Sequence, residues 1–223
     1  MELVIGMTAC PRQDIPLTRA VVNLRYGGFH EDLHIFAEPG LEHPGLPNIV
    51  WHSHPKRLGG VRNWLHAANW LLEHTASPYI MIVEDDVDYC CGARARVESR
   101  VAAGEFGVLS LYLARRYAKH VGTKQGWIAH NYGTRTFGML SLVFSRPLLR
   151  EFVDSATVKA ALASGKQNIS YDSLLFGWFR NTQRAHLCFA HRPSLADHVG
   201  PRSNLRHADG AHRRGLEFKR DYE

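Results

Sequence analysis

The sequence predicts a single-domain α/β protein, a sheet flanked by helices, on three observations. Over the first 84 residues the candidate elements run strand, helix, strand, strand, helix, strand, the order of an α/β sheet. The apolar run Tyr79-Ile80-Met81-Ile82-Val83 reads as a buried strand, and it ends abruptly in Glu84, Asp85, Asp86 and Asp88. A length of 223 residues suits one domain with a substantial core.

Glu2 to Met7 is the first strand candidate. Pro11 and Pro16 mark a loop, and Leu17, Val21 and Leu24 then recur at helical spacing until Gly27-Gly28 stops the helix at Tyr26. His34-Ile35-Phe36 and Ile49-Val50-Trp51 read as short strands separated by a Gly/Pro-rich connection through Pro47. Gly59-Gly60 opens a second helix through Trp64, Ala68 and Leu71-Leu72, and the strand Tyr79–Val83 follows. In such a sheet ligands bind at the carboxyl ends of the strands, so the acidic cluster falls on the functional rim.

The second half is less regular. Helices are expected over Ala93 to Ala103, Pro147 to Ala163 and Tyr171 to Arg180, with strands near 107–113, 138–144 and 185–190. No internal repeat is present. After Gly200 apolar periodicity gives way to Arg, His and Gly, which predicts a catalytic domain over 1–200 and a basic tail over 201–223, either unstructured until it meets a partner or a solvated terminus without function.

Hydrophobic residues make up 45% and charged residues 22%, the composition of a soluble globular chain. No apolar stretch approaches the roughly 20 residues that cross a bilayer, and the first residues lack a basic region followed by a long apolar one, so a cytoplasmic location is expected. The four cysteines are sparse and Cys90 and Cys91 are adjacent, which argues against a disulfide framework. Without a secretion signal the sequon Asn168-Ile169-Ser170 carries no weight. A net charge of +6 and 14 histidines point to an anionic partner: a nucleotide, a nucleic acid or an acidic glycan.

Carboxylates crowded at a strand end are costly unless a cation neutralises them. Mg²⁺ or Mn²⁺ prefers carboxylate oxygens and keeps positions open for substrate phosphates. The other reading of the same residues is an acidic loop facing water. His52-Ser53-His54 follows a strand like paired metal ligands, but no further ligand stands at a telling spacing, so a zinc site is not expected.

Taken together, these segments resemble nucleotide-sugar glycosyltransferases of the GT-A fold. Thr8-Ala9-Cys10-Pro11-Arg12 after the opening strand is similar to the family's first loop, where the nucleotide binds. Gly59-Gly60-Val61-Arg62-Asn63-Trp64 is similar to the Gly-Asn segment that begins the helix before the metal motif, and Glu84-Asp85-Asp86 to the DxD-type element. Pro193-Ser194-Leu195-Ala196-Asp197-His198-Val199-Gly200 is similar to the Pro-Ser-Leu-x-x-His-x-Gly segment of branching N-acetylglucosaminyltransferases and bacterial relatives. The resemblance runs in order over residues 2–204 and is weakest between Cys91 and Phe137. It implies a Rossmann-like mixed sheet of the GT-A type.

It also implies roles. Asp86, with His198 beside the donor diphosphate, would hold Mn²⁺ or Mg²⁺; Asp85 would take the ribose hydroxyls and Glu84 the loop geometry. Thr8 and Arg12 would contact the nucleotide, Arg12 through uracil or phosphate; its alternative is a surface arginine after a turn proline. Asn63 would contact the nucleotide or cap its own helix. Asp88 is a further carboxylate behind the metal ligand. Asp172, an isolated acid in an apolar helical stretch, stands where inverting members carry their base, or is a first-turn carboxylate favoured by the helix dipole.

The expected activity is therefore metal-dependent, inverting transfer of a sugar from a nucleotide-sugar donor, a UDP-sugar above others, to an acceptor hydroxyl. Short length and basic clusters (Arg94, Arg96, Arg100; Arg115, Arg116, Lys119, Lys124; Arg202, Arg206, Arg213, Arg214) suggest a nucleic-acid acceptor, such as a hydroxylated pyrimidine in phage-type DNA, besides a glycan. The rivals are a nucleotidyltransferase using the same acidic site and a non-catalytic nucleic-acid-binding module.

Overall fold

A computed structural model describes residues 1–115, 121–129, 140–164, 169, 171–182, 187–199 and 214–221. Its strands are β1 (Leu3–Ala9), β2 (Leu33–Ala37), β3 (Ile49–Ser53), β4 (Tyr79–Glu84), β5 (Val87–Tyr89), β6 (Val108–Ser110), β7 (Gly126–Ala129), β8 (Ser141–Ser145), β9 (Cys188–Arg192) and β10 (Ala196–His198). The helices are α1 (Leu17–Tyr26), α2 (Gly60–His74), α3 (Ala93–Ala102), α4 (Arg146–Val153), α5 (Ala156–Ala163) and α6 (Tyr171–Thr182).

Eight strands form one mixed sheet in the order β3-β2-β1-β4-β8-β6-β9-β7, and β5 pairs with β10 in a separate antiparallel ribbon. The strands β1 to β4 run parallel, with β8 antiparallel between β4 and β6. This is the single-domain mixed sheet flanked by helices that the sequence predicts.

The unbroken apolar run of β4 follows from burial on both faces. Ile80 and Ile82 join Phe36, Phe144 and the buried stripe of α2 (Val61, Trp64, Leu65, Ala68, Leu71, Leu72), with α4, α5 and α6 alongside. Met81 and Val83 face the opposite layer, where Ala20, Val21 and Leu24 of α1 and Ala93 and Val97 of α3 close over Ile5, Met7 and Ile35. The periodicity that marks α1 and α2 in the sequence is thus the set of side chains each helix buries.

Some elements differ from expectation. The helix expected from Pro147 to Ala163 is two, α4 and α5: Ser155 Oγ accepts the Val158 N–H at 3.3 Å, and such a cap starts a new helix where the old one ends. The strand expected over 107–113 contracts to β6. The unpredicted β5, β7 and β10 are three or four residues long, too short for alternation to register. Residues 138, 139, 185 and 186 of two expected strands lie outside the described residues, as do Arg116, Lys119, Asn168, Ser170, Gly200 and 201–213.

Residues 214–221, expected to be unstructured, lie against the body instead. Leu216 is buried, Cys91 N–H donates to Arg220 O at 2.8 Å, and Arg192 pairs with Glu217 at 2.5 Å. Two apolar side chains in a basic stretch, Leu216 and Phe218, are invisible to composition, yet both pack against the body. All four cysteines are free. No helix among the described residues is long and apolar enough to cross a membrane.

Candidate active site at the carboxyl ends of β1 and β4

The chain winds outward from β1 through β2 to β3, then returns to lay β4 on the other side of β1. This change of direction opens a crevice at the carboxyl ends of β1 and β4, where α/β sheets bind ligands. Thr8 and Glu84 stand opposite each other in that register, and Thr8 Oγ1 donates to Val83 O at 3.4 Å. The loop after β1 carries Cys10 and Arg12; the turn after β4 carries Asp85 and Asp86.

Arg12 joins the two loops. Its Nε and one terminal nitrogen each lie 2.7 Å from Asp85 Oδ1, and the other terminal nitrogen lies 2.8 Å from Asp86 Oδ2. Cys10 N–H donates to Asp85 Oδ2 at 2.9 Å. The Arg12 side chain is 12% exposed and those of Asp85 and Asp86 5% and 3%, so this is a desolvated ion cluster rather than a surface bridge. On the far side of Asp86, His198 Nε2 lies 3.1 Å from the same Oδ2, and Val199 N–H donates to Asp86 O at 2.8 Å. Asp86 Oδ1 is buried without a hydrogen-bond partner.

Burial sets the electrostatics. It pushes the Glu84 carboxyl well above the usual carboxylate range, and the charges of Asp86, Asp172 and Asp85 add to that rise while Arg12 opposes it. Burial likewise raises Asp85 despite its guanidinium partner. For Arg12 burial acts downward, but Asp85 and Asp86 outweigh it and hold the group above its ordinary range. Two acidic side chains thus share one buried guanidinium.

Asp172 lies in the first turn of α6 and is close enough for its charge to act on Glu84. Its neighbour Tyr171 lies parallel to Trp64, ring centroids 6.4 Å apart, and a Cβ on Gly60 would sit 3.7 Å from the Tyr171 ring. The start of α6 is thus seated on the start of α2 beside the crevice. Asn63 is buried, donates from Nδ2 to Phe36 O and bonds His54 Nε2 through Oδ1, both at 3.0 Å; it locks α2 to β2 and the loop after β3. Asp88 faces α1, bonding Asn23 and, at 3.3 Å, Arg19.

Glu38, which the sequence reading did not single out, is built into the rim. Only 4% exposed at the end of β2, its carboxylate accepts the N–H of Leu58 at 2.9 and 3.1 Å and of Gly59 at 2.7 Å. Gly59 has φ 80°, a conformation suited to glycine, and turns the chain into α2. An acid placed between a strand and Pro39-Gly40 is the one signal that could have marked it.

The arginines of α3, half-buried, are engaged by groups of the protein itself. Arg94 pairs with Glu31 at 2.6 Å and Glu98 at 2.9 Å, Arg96 donates to Cys91 O and Gly92 O, and Arg100 donates to Gly104 O and Glu105 O and lies 3.9 Å over the Phe189 ring. This row does not present free guanidinium groups to a phosphate backbone.

Among the described residues no three His, Cys, Asp or Glu side chains converge as a closed metal site. The residues nonetheless fit a hard divalent cation completed by substrate. Asp86 Oδ1 is an orphaned acceptor, and Mg²⁺ commonly takes one or two protein carboxylates and fills its other positions with phosphate oxygens and water.

No protein-family profile and no curated protein matches the chain. Solved structures do. A Bacillus anthracis protein assigned as a glucose-1-phosphate thymidylyltransferase, solved with sucrose, aligns with TM-score 0.55 at 12% identity over 95% of each chain. The fold is the Rossmann-like one of nucleotidyltransferases and GT-A enzymes. The 2-C-methyl-D-erythritol 4-phosphate cytidylyltransferase of Thermus thermophilus aligns with TM-score 0.49 at 14% identity over 87% of this chain and 91% of its own. A Pyrobaculum calidifontis mannosyltransferase in complex with GDP-Man and Mn²⁺ aligns with TM-score 0.48 at 15% identity over 85% of this chain; the chain spans 56% of that protein's length.

Proposed function

We propose that the chain is a divalent-metal-dependent glycosyltransferase that moves a sugar from a nucleotide-sugar donor, a UDP-sugar, to an acceptor hydroxyl with inversion. The observation that carries this is the union, at one crevice, of the acidic residues Glu84, Asp85 and Asp86 with a separate acid, Asp172, within electrostatic reach.

Breaking the bond between the anomeric carbon and phosphate leaves the electron pair on the departing nucleoside diphosphate. When bound at Asp86, with His198 beside it, the metal supplies Lewis-acid stabilisation of that charge. Arg12 adds a guanidinium at the same place, suited to phosphate oxygens. Thr8 and Asp85 would contact the nucleotide, and Asn63, bonded to Phe36 O, holds the start of α2 to β2. Asp172 removes the acceptor's hydroxyl proton as the new carbon–oxygen bond forms. One base and a leaving group handled by charge give a single displacement, hence inversion.

A base is what separates this reading from nucleotidyl transfer. A sugar phosphate attacking a nucleoside triphosphate is already an anion and needs no proton removed, whereas a hydroxyl does. The test offers the protein a panel of sugar nucleotides with Mn²⁺ and, in parallel, nucleoside triphosphates with sugar phosphates. The proposal expects nucleoside diphosphate release from the former, with the product's anomeric configuration inverted by NMR; pyrophosphate release from the latter alone would replace it with nucleotidyl transfer.

A further inference from the structure

Asp197 is a carboxylate only 2% exposed that no step above employs. It stands on β10 beside His198, and adjacent residues of a strand face opposite ways. His198 meets Asp86, while Asp197 meets the C-terminal segment: Oδ1 accepts the Gly215 N–H at 2.5 Å and the His198 N–H at 3.0 Å, and Oδ2 lies 2.5 Å from the Arg214 guanidinium. A buried carboxylate so compensated is a structural tie, since loss of these partners would leave it an uncovered charge.

The segment lies close against β10 and is held by backbone hydrogen bonds. A Cβ on Gly215 would come 2.6 Å from the Ala196 carbonyl oxygen, Leu216 N–H donates to Leu113 O at 2.6 Å, and Ser194 N–H donates to Leu216 O at 2.8 Å. The ribbon it braces is weak by itself. β5 and β10 have three residues each, and a lone two-stranded ribbon of that size does not hold its own geometry. Yet this ribbon sets the distance between Asp86, just before β5, and His198, at the end of β10.

We infer that Asp197 is a positioning residue: by binding Arg214 and Gly215 it fixes His198 against Asp86 and makes the C-terminal segment part of the framework of the cation and diphosphate site. The inference rests on the proposed role of His198.

The test is a double-mutant cycle on the full chain, reading Mn²⁺ affinity in the presence of UDP by calorimetry. Asp197→Asn keeps an oxygen for the two N–H donors but sets an amide against Arg214. It is expected to weaken Mn²⁺ binding about tenfold or more, as loss of a group that orients a metal ligand does. In the His198→Ala background the same substitution is expected to cost nothing further, because its effect passes through the imidazole. Should Asp197→Asn fail to fold, Arg214→Met carries the same cycle, with Arg214→Lys expected to restore affinity. Equal losses with and without His198, or none in either background, overturn the inference. If the unsubstituted protein takes up no Mn²⁺ with UDP, it is the proposed function that falls.

Discussion

The Arg12 guanidinium occupies Asp86 Oδ2 at 2.8 Å while Asp86 Oδ1 stays buried and unpartnered. An internal cation and an incoming metal ion therefore draw on the same carboxylate, and Arg12 both stabilises Asp85 and Asp86 and competes with the ion. Arg12→Gln should raise affinity for Mn²⁺ alone by about tenfold, since even a well-screened unit charge at this range repels an ion by ~1–2 kcal/mol. Affinity for UDP in the presence of Mn²⁺ should fall. Titration calorimetry of each ligand separates the two, and a loss of both would show Arg12 to be structural only.

In the proposed reaction Asp172 acts only once donor and acceptor are bound. Asp172→Asn should leave UDP and Mn²⁺ affinity within a factor of about two and lower kcat by about 10²- to 10⁴-fold, the contribution of a positioned base. Steady-state kinetics with a hydroxyl acceptor check this. An unchanged kcat would remove Asp172 from the reaction and the inference of inversion with it.

Glu38, buried at the end of β2, should matter for stability. Glu38→Ala leaves the N–H groups of Leu58 and Gly59 without their acceptor at the start of α2 and should cost about 3 kcal/mol. In a chain of this size that is a fall of roughly 6–12 °C in melting temperature by circular dichroism. Glu38→Gln, which keeps a carbonyl oxygen, should lose less.

The edge of the sheet should be sensitive to acid. His52 stacks on Phe36 at 4.6 Å and shares a 3.2 Å hydrogen bond with His34, with Trp70 at 4.3 Å. Burial lowers its pKa to about 4, with the charges of His34, His66, His54 and His74 acting the same way. Because the folded form resists a proton that the unfolded chain accepts near pH 6.5, stability is full above that pH and declines as pH falls from 6.5 toward 4. His52→Phe should flatten the fall in melting temperature between about pH 7.5 and 5 relative to the unsubstituted protein. A parallel fall in both would place the sensitivity elsewhere.

Much of this was readable in the residues. Leu17, Val21 and Leu24 between Pro16 and Gly27 mark α1 to the residue, because its buried stripe and its stops are all local. Glu84, Asp85 and Asp86 stand out because a two-sided buried strand ends in charge, and the sheet order puts that end at a crevice. What was not readable is long-range. Arg12 reads like any arginine until the fold brings it to Asp85, 73 positions away. The α3 arginines read as a basic patch because their acceptors are mostly backbone carbonyls, which sequence does not display. The ribbon of β5 and β10 exists only through the partners that brace it, so no local pattern announces it.

In the proposed reaction a cation held at Asp86 in turn holds a diphosphate, and calorimetry of Mn²⁺ and Mg²⁺ with UDP present measures that binding. Uptake by the folded protein that is lost in Asp86→Asn is the predicted result. No uptake of either ion by the folded, unsubstituted chain at saturating UDP would contradict it.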